Sequence, residues 1–192
     1  GTATWLQIGD GEPRAFRFID APRPGADALV RGLLAQGKRV ILLSGDTREA
    51  VSALAETLGI VDWRAGVLPA DKARVVAALS DQGRKVLMVG DGLNDTAALA
   101  GAHVSISPSS ALDAARSASD IVLLGQDLSP IADALRIAVQ ARRRIKQNFA
   151  LSLAYNVVAV PVALVGLATP LIAALAMSTS SVTVSLNALR LK

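Results

Sequence analysis

Gly90-Asp91-Gly92-Leu93-Asn94-Asp95 follows Lys85-Val86-Leu87-Met88-Val89 and precedes Thr96-Ala97-Ala98-Leu99-Ala100. The first run is short, apolar and rich in valine, the pattern of a buried strand. The last reads as the opening of a helix. Two carboxylates, an amide and two glycines therefore sit at the carboxyl end of a strand, where open α/β sheets bind ligands. Asp91 and Asp95 stand four apart across a tight turn, close enough to reach one hard cation. Mg²⁺ takes one or two carboxylates and fills its octahedron with water and phosphate oxygens. Gly90 and Gly92 let the backbone turn sharply and approach a cofactor. The alternative is a plain acidic turn with Asn94 or Asp95 as the helix N-cap.

Working back from this stretch, strands and helices alternate. Residues 15–19 read as a strand ending at Asp20, and Ala21-Pro22-Arg23-Pro24-Gly25 as a turn. Ala26 to Gln36 carries apolar residues at 26, 29, 30, 33 and 34, a helical stripe stopped by Gly37. Val40-Ile41-Leu42-Leu43 is a second strand, running into Ser44-Gly45-Asp46, with a helix from Thr47 to Leu58 closed by Gly59. Ile60 to Val67 holds a short strand. Pro69-Ala70-Asp71-Lys72 opens a helix to about Ser80. Beyond the acidic loop, Val104-Ser105-Ile106 and Ile121-Val122-Leu123-Leu124 are two more strands with a helix between them. Such alternation predicts a parallel sheet covered by helices on both faces.

The far end of the chain has a different composition. Hydrophobic residues make up 52% of the 192, and mean hydropathy is +0.43. Residues 147–189 contain no Asp, Glu, Lys, Arg or His. That run fits two membrane spans of about 20 residues each with a short turn between them. The spans are expected at 147–166 and 170–189. An amphipathic helix is expected over 129–146, growing basic through Arg136, Arg142, Arg143, Arg144 and Lys146. Arg190 and Lys192 lie beyond the second span, and the turn carries no charge. Under the positive-inside rule both ends face the cytoplasm, with membrane lipid around the hairpin. A buried helical hairpin of a soluble protein is the other reading of the run. The basic cluster abuts an apolar span and lacks interleaved aromatics, so nucleic acid is not expected as a partner. There are no cysteines, hence no disulfide and no thiolate metal site within this chain.

A hydroxyl, a lysine and a carboxylate able to bind Mg²⁺, all in the first part, together suit phosphoryl transfer. Ser44 and nearby backbone N–H groups can bind phosphoryl oxygens. Lys72 can neutralise negative charge at the centre. Mg²⁺ on Asp91 can bridge phosphate and nucleophile. Each feature alone has a plain reading: a helix cap for Ser44-Gly45-Asp46, a solvated helix residue for Lys72. Their order and their shared position at strand ends favour the joint reading.

Leu43-Ser44-Gly45-Asp46, Pro69-x-x-Lys72 and Gly90-Asp91-Gly92-x-Asn94-Asp95 resemble the later motifs of the haloacid-dehalogenase fold. With Asp20-Ala-Pro-Arg23-Pro24 before them and a membrane hairpin after, the order resembles a P-type ATPase over nearly the whole chain. The implied layout is a partial phosphorylation domain over 1–128, a connecting helix over 129–146 and the last two membrane helices over 147–192. Tyr155-Asn156 in the first span and Met177-Ser178-Thr179-Ser180-Ser181 in the second resemble signatures of the Cu(I)-transporting class of the heavy-metal P1B group. The stretch from His103 to Pro108 is similar to the subgroup tied to cytochrome oxidase assembly (the FixI/CcoI type). His103 itself reads as a surface residue. The resemblance implies ATP as substrate, Mg²⁺ as cofactor and Cu⁺ as cargo. A copper chaperone or an oxidase-assembly factor is the implied partner. It assigns Ser44, Gly45, Asp46, Lys72, Asp91, Asn94 and Asp95 to the phosphoenzyme site, and Tyr155, Asn156, Met177 and Ser181 to Cu⁺. The chemistry agrees: a Met thioether is a soft ligand suited to Cu(I). A divalent-ion transporter would be expected to keep a membrane carboxylate, and neither span has one.

The chain departs from that family in what it lacks. No Asp-Lys-Thr-Gly-Thr, Cys-Pro-Cys or actuator motif occurs in the 192 residues, and Thr96-Ala97 stands where Ala-Pro is usual. Covalent catalysis needs its nucleophile. The expectation is therefore a C-terminal fragment, inactive alone, of a pump working through an aspartyl phosphate. A membrane-tethered phosphatase using Asp20 and a non-catalytic regulatory or assembly subunit are the alternatives.

Overall fold

The computed structural model describes residues 3–9, 11–17, 21–111 and 113–190. They form two compact units, one up to Ile131 and one from Ala132. The first opens with a hairpin of β1 (Ala3–Leu6) and β2 (Arg14–Arg17), paired antiparallel with Ala3 opposite Arg17. Phe18, Ile19 and Asp20, the end of the expected strand and the candidate phosphatase nucleophile, lie outside the described residues. Alternation follows: α1 (Ala26–Ala35), β3 (Ile41–Leu43), α2 (Arg48–Leu58), β4 (Asp62–Arg64), α3 (Pro69–Asp81) and β5 (Leu87–Val89). One turn of 3-10 helix at Leu93–Asp95 leads into α4 (Thr96–Gly101), then β6 (Val104–Pro108), α5 (Asp113–Ser117) and β7 (Ile121–Leu123).

The strands after the hairpin are parallel, as their helical crossovers require. Among the described residues they form two ladders. β3 pairs β4 with Leu42 opposite Trp63, and β6 lies between β5 and β7. Among the described residues no strand pairs with the second edge of β3 or of β5. Burial follows from that. Ser105 to Pro108 of the central β6 are buried, whereas β3 is half-buried throughout and Val89 of β5 is 39% exposed.

Helix faces supply the core. Ala26, Leu29 and Val30 fall on one side of α1 at the three- and four-residue spacing of a helix, and Val51, Ala55 and Leu58 do so on α2. Ala26, Val30, Ala55, Leu58 and Ile60 form one cluster, closed by Leu42, Leu54, Trp63 and Leu128. Burying each such Leu, Val or Ile contributes about 1.5–3 kcal/mol. A second cluster joins Leu99, Ala111 and Ala115 to Met88 beneath the acidic loop. Gly59 ends α2 at φ 68°, and the Ile60 N–H reaches back to the Ala55 carbonyl at 2.8 Å, a left-handed cap that only glycine adopts at little cost.

The second unit holds most of α6 (Ser129–Leu164) and α7 (Pro170–Ala188). The amphipathic segment and the first span, expected in succession, are one helix of 36 residues; charge on a face does not interrupt backbone hydrogen bonding. Thr169 caps α7, its hydroxyl accepting the Ile172 N–H at 3.3 Å, with Pro170 at the first helical position. Both helices are long and apolar enough to cross a membrane, and their apolar windows are unburied. Asn148, Ser152, Tyr155 and Ala159 of α6, and Ala176, Ser180, Val184 and Asn187 of α7, are among the less exposed residues. Asn187 donates to Asn148 across the pair at 2.7 Å. Polar side chains bonded between helices and small residues at the seam are how helices associate in lipid.

One polar clamp locks the three-stranded ladder. Asp120, just before β7, accepts from the buried Ser105 backbone at 2.8 Å and from its hydroxyl at 2.9 Å. The backbone bond, then the hydroxyl, hold the Asp120 carboxyl below its ordinary range. A carboxyl depressed on folding stabilises the fold above its unfolded pKa, and that contribution is lost as pH falls through the folded value. Asp120→Ala should therefore lower the melting temperature at neutral pH. The gap to the unsubstituted chain should close on acidification. A gap that stayed constant with pH, measured by thermal unfolding, would count against the clamp.

Candidate phosphoryl-transfer site

β5 delivers the chain to Gly90, whose N–H bonds the Ile106 carbonyl of β6 at 3.2 Å. There the loop folds back on itself. A Cβ on Gly90 would lie 2.8 Å from the Asp95 Cβ, so the position admits no side chain without moving Asp95. Asp95 stands at the N-cap of α4, yet its side chain does not cap the helix. Its Oδ1 instead accepts from Lys72 Nζ at 2.7 Å, and its Oδ2 faces the Gly92 N–H at 3.4 Å. Lys72 arrives from the first turn of α3, which begins at Pro69. The two side chains are 12% and 11% exposed, so the charges neutralise each other largely out of water.

Asp91 is disposed otherwise. Its carboxylate is half exposed and forms an ion pair with Arg23. Arg23 also donates to Ser110 Oγ at 3.4 Å. Asn94 is exposed. Ser44 follows β3: its hydroxyl donates to Asp46 Oδ2 at 2.8 Å and accepts the Asp46 N–H at 3.2 Å. The Ser44 and Asp46 carbonyls accept from Val67 and Gly66, which tie the loop to the segment after β4. Gly45 lies beside the Val67 carbonyl. The structure thus joins Lys72 to Asp95 and Ser44 to Asp46.

Mg²⁺ fits Asp91. That carboxylate is a hard oxygen donor at the end of a strand, open to solvent, and already paired with a cation. No group of three His, Cys, Asp or Glu surrounds it among the described residues, and Mg²⁺ is a cation that one carboxylate can hold with waters and phosphate oxygens. Asp95, expected as a second ligand, has its carboxylate taken up by Lys72. In the sequence Arg23 stands in a turn and in the Asp20-Ala-Pro-Arg23-Pro24 stretch of the resemblance, with no role assigned to it at the site. Its partner lies 68 residues away, and what pointed to it was position, a cation in the turn before a helix of an α/β unit.

In the second unit Tyr155 is half-buried against α7, lining a groove with Thr179, Ser180 and Thr183. Met177 is 71% exposed, and Ser181, four residues on, is exposed as well. Asn156 is exposed and donates to the Ser152 carbonyl of its own helix at 2.9 Å. The hairpin therefore brings Tyr155 to Ser180 and leaves Asn156, Met177 and Ser181 off that groove. His103 is exposed.

These features agree with what the chain is similar to. Residues 6–103 match the haloacid dehalogenase-like hydrolase family, and the chain belongs to that family. Within it the chain is related to the cation-transporting P-type ATPases. It is 47% identical over 187 residues to the nitrogen fixation protein FixI of Rhizobium meliloti strain 1021, covering 97% of this chain and 25% of that protein. It is 44% identical over 193 residues to the copper-exporting P-type ATPase of Bacillus subtilis strain 168, covering 100% of this chain and 24% of that one. The crystal structure of a zinc-transporting PIB-type ATPase in its E2.Pi state superposes with a TM-score of 0.84 at 32% identity, covering 90% of this chain and 28% of the other. The chain spans about a quarter of the length of the curated relatives it matches.

Lys72→Met leaves Asp95 charged, enclosed and without its partner. Unfolding by urea in detergent, followed through Trp63 in the core, should show a loss of about 3 kcal/mol. Lys72→Met combined with Asp95→Leu should recover part of that loss. A single variant as stable as the parent would mean the pair does not hold the loop.

Proposed function

We propose that this chain is the part of an ATP-driven Cu(I) transporter that carries the Mg²⁺ half of the phosphoryl-transfer site and the membrane hairpin beside the cargo path. The observation that carries the reading is the Asp91 loop, braced through Asp95 by Lys72, in one chain with a charge-free helical hairpin bearing Tyr155, Met177 and Ser181. The phosphorylated Asp and the nucleotide domain are then supplied by sequence other than these 192 residues. The soluble unit lies on the cytoplasmic side, where the basic residues before the first span place it.

In this reading Asp91 would hold Mg²⁺, which would supply positive charge to offset that on the phosphoryl oxygens. Lys72 holds Asp95 against the loop and keeps a positive charge beside the reacting group. The Ser44 hydroxyl is poised to turn from Asp46 to a phosphoryl oxygen. Asn94, exposed at the loop tip, is free to bond the phosphoryl group. Gly90 and Gly92 keep the approach open.

Cu(I) is favoured over a divalent cargo because residues 147–189 hold a thioether and no carboxylate. Met177 and Ser181 share the outward face of α7, so a cargo site built on them draws further ligands from groups facing the hairpin. α6 would carry motion of the soluble unit to that site, as a rigid element does between coupled sites.

The tests are direct. The 192-residue chain in detergent should show no Cu⁺-stimulated ATP hydrolysis; turnover abolished by Asp91→Ala would sink the division of labour. The coding sequence before Gly1 should contain Asp-Lys-Thr-Gly and Cys-Pro-Cys, and an open reading frame starting at Gly1 would end the pump reading for this polypeptide. In the complete transporter, Lys72→Ala should slow phosphoenzyme formation by roughly 100-fold. There too, a run of glycines inserted near Arg142 should uncouple hydrolysis from Cu⁺ uptake into vesicles; intact coupling would remove α6 from the pathway.

A further inference from the structure

Three consecutive residues in the turn before α1 touch two different places. Arg23 ion-pairs with Asp91 and donates to Ser110 Oγ, on the side of the acidic loop. Pro24 points its carbonyl the other way and accepts the Leu128 N–H at 2.9 Å. Gly25, at φ 77°, lies so close to the start of α6 that a Cβ on it would fall 2.5 Å from Asp127 Oδ1 and 2.7 Å from Ser129 N. Asp127 is itself the anchor of that helix start. Its two carboxylate oxygens accept the Ser129 N–H at 2.8 Å and the Ser129 hydroxyl at 2.7 Å. Ile131, one turn on, is 1% exposed, so the first turn of α6 is packed into the same unit.

The ion pair places a cation on Oδ2, one of the two carboxylate oxygens open to a metal. A guanidinium and a divalent ion held by one small carboxylate repel each other, so entry of the metal works to displace Arg23. The side chains are 31% and 50% exposed, which keeps the pair weak enough to exchange. Displacement pulls on a short segment whose next two residues hold the first turn of α6.

We propose that Arg23 is a positioning residue: it occupies Asp91 until a divalent cation arrives, and its release loosens the Pro24 and Gly25 contacts to Leu128 and Asp127 at the start of α6. The inference rests on the reading of Asp91 as the Mg²⁺ ligand. It adds a link from the metal loop to the helix that enters the apolar hairpin.

The test uses the full chain in nanodiscs, with Mn²⁺ as the paramagnetic probe of affinity and hydrogen exchange of residues 126–132 as the probe of the helix start. Arg23→Gln should tighten Mn²⁺ binding roughly two- to five-fold, the span a partly exposed ion pair allows. Without metal it should speed exchange at Leu128 to Ile131. In the unsubstituted chain saturating Mg²⁺ should produce the same acceleration, and in Arg23→Gln it should add nothing. Arg31→Gln, which breaks only the exposed pair with Asp27, should change neither readout. Equal or weaker Mn²⁺ binding by Arg23→Gln would overturn the exchange of cations. Unchanged metal-free exchange at 128–131 would overturn the link to α6. Asp91→Asn separates the premise: Mn²⁺ binding that survives it would defeat the metal reading, while the metal-free comparison still decides the link.

Discussion

The salt bridge between Lys72 and Asp95 is the constraint on which the arrangement of the site depends. Both groups are about nine-tenths covered, so neither tolerates the loss of the other. The pair ties the first turn of α3 to the N-terminus of α4, and so fixes the loop between β5 and α4 from its far end. Gly90 completes the constraint from the near end, because the returning Asp95 occupies the space of its missing side chain. Asp91 is left between two fixed points, with its carboxylate turned to solvent. A loop whose two carboxylates pointed the same way would carry uncompensated repulsion. Here one is neutralised inside and the other remains available outside.

Much of this was legible in the sequence. Helix bounds came within a residue or two where a stop was chemical: Gly59 after Leu58, Pro69 at the start of α3, Pro170 at the start of α7. Strands of three residues were found because their apolar runs end in polar loops. β1 is not legible in the sequence for a physical reason. It is exposed on both faces, so Thr4-Trp5-Leu6 carries no alternation to read. α6 was expected to change character near Asn148, because the charges stop there. The backbone has no such boundary and the helix runs on.

The site was legible in its residues and not in its pairings. Motif order brought Ser44, Lys72 and the Asp91 loop to one end of the strands. Spacing alone could not tell that Asp95 would turn inward to Lys72, or that Arg23 would reach Asp91. Those contacts depend on helix packing between segments far apart in the chain. The hairpin posed the same problem. Met177 and Ser181 do share a helix face, as their spacing requires, but which face meets α6 is decided by Ala176, Ser180 and Asn187, the residues small or polar enough to sit at the seam.

The edges of β3 and β5 that no described strand pairs have a consequence for the chain as a material. A parallel ladder normally lies inside a sheet, with both edges satisfied. Among the described residues each of these two has one edge with no strand beside it, and on β5 that edge lies beside the exposed Val89. Such edges are adhesive: they recruit any strand of suitable register, including one from a second copy. Where those edges stay uncovered, the first unit gains a route to self-association beside that of the apolar hairpin. A charged residue or a proline at those edges is the remedy to try when monodisperse material is wanted.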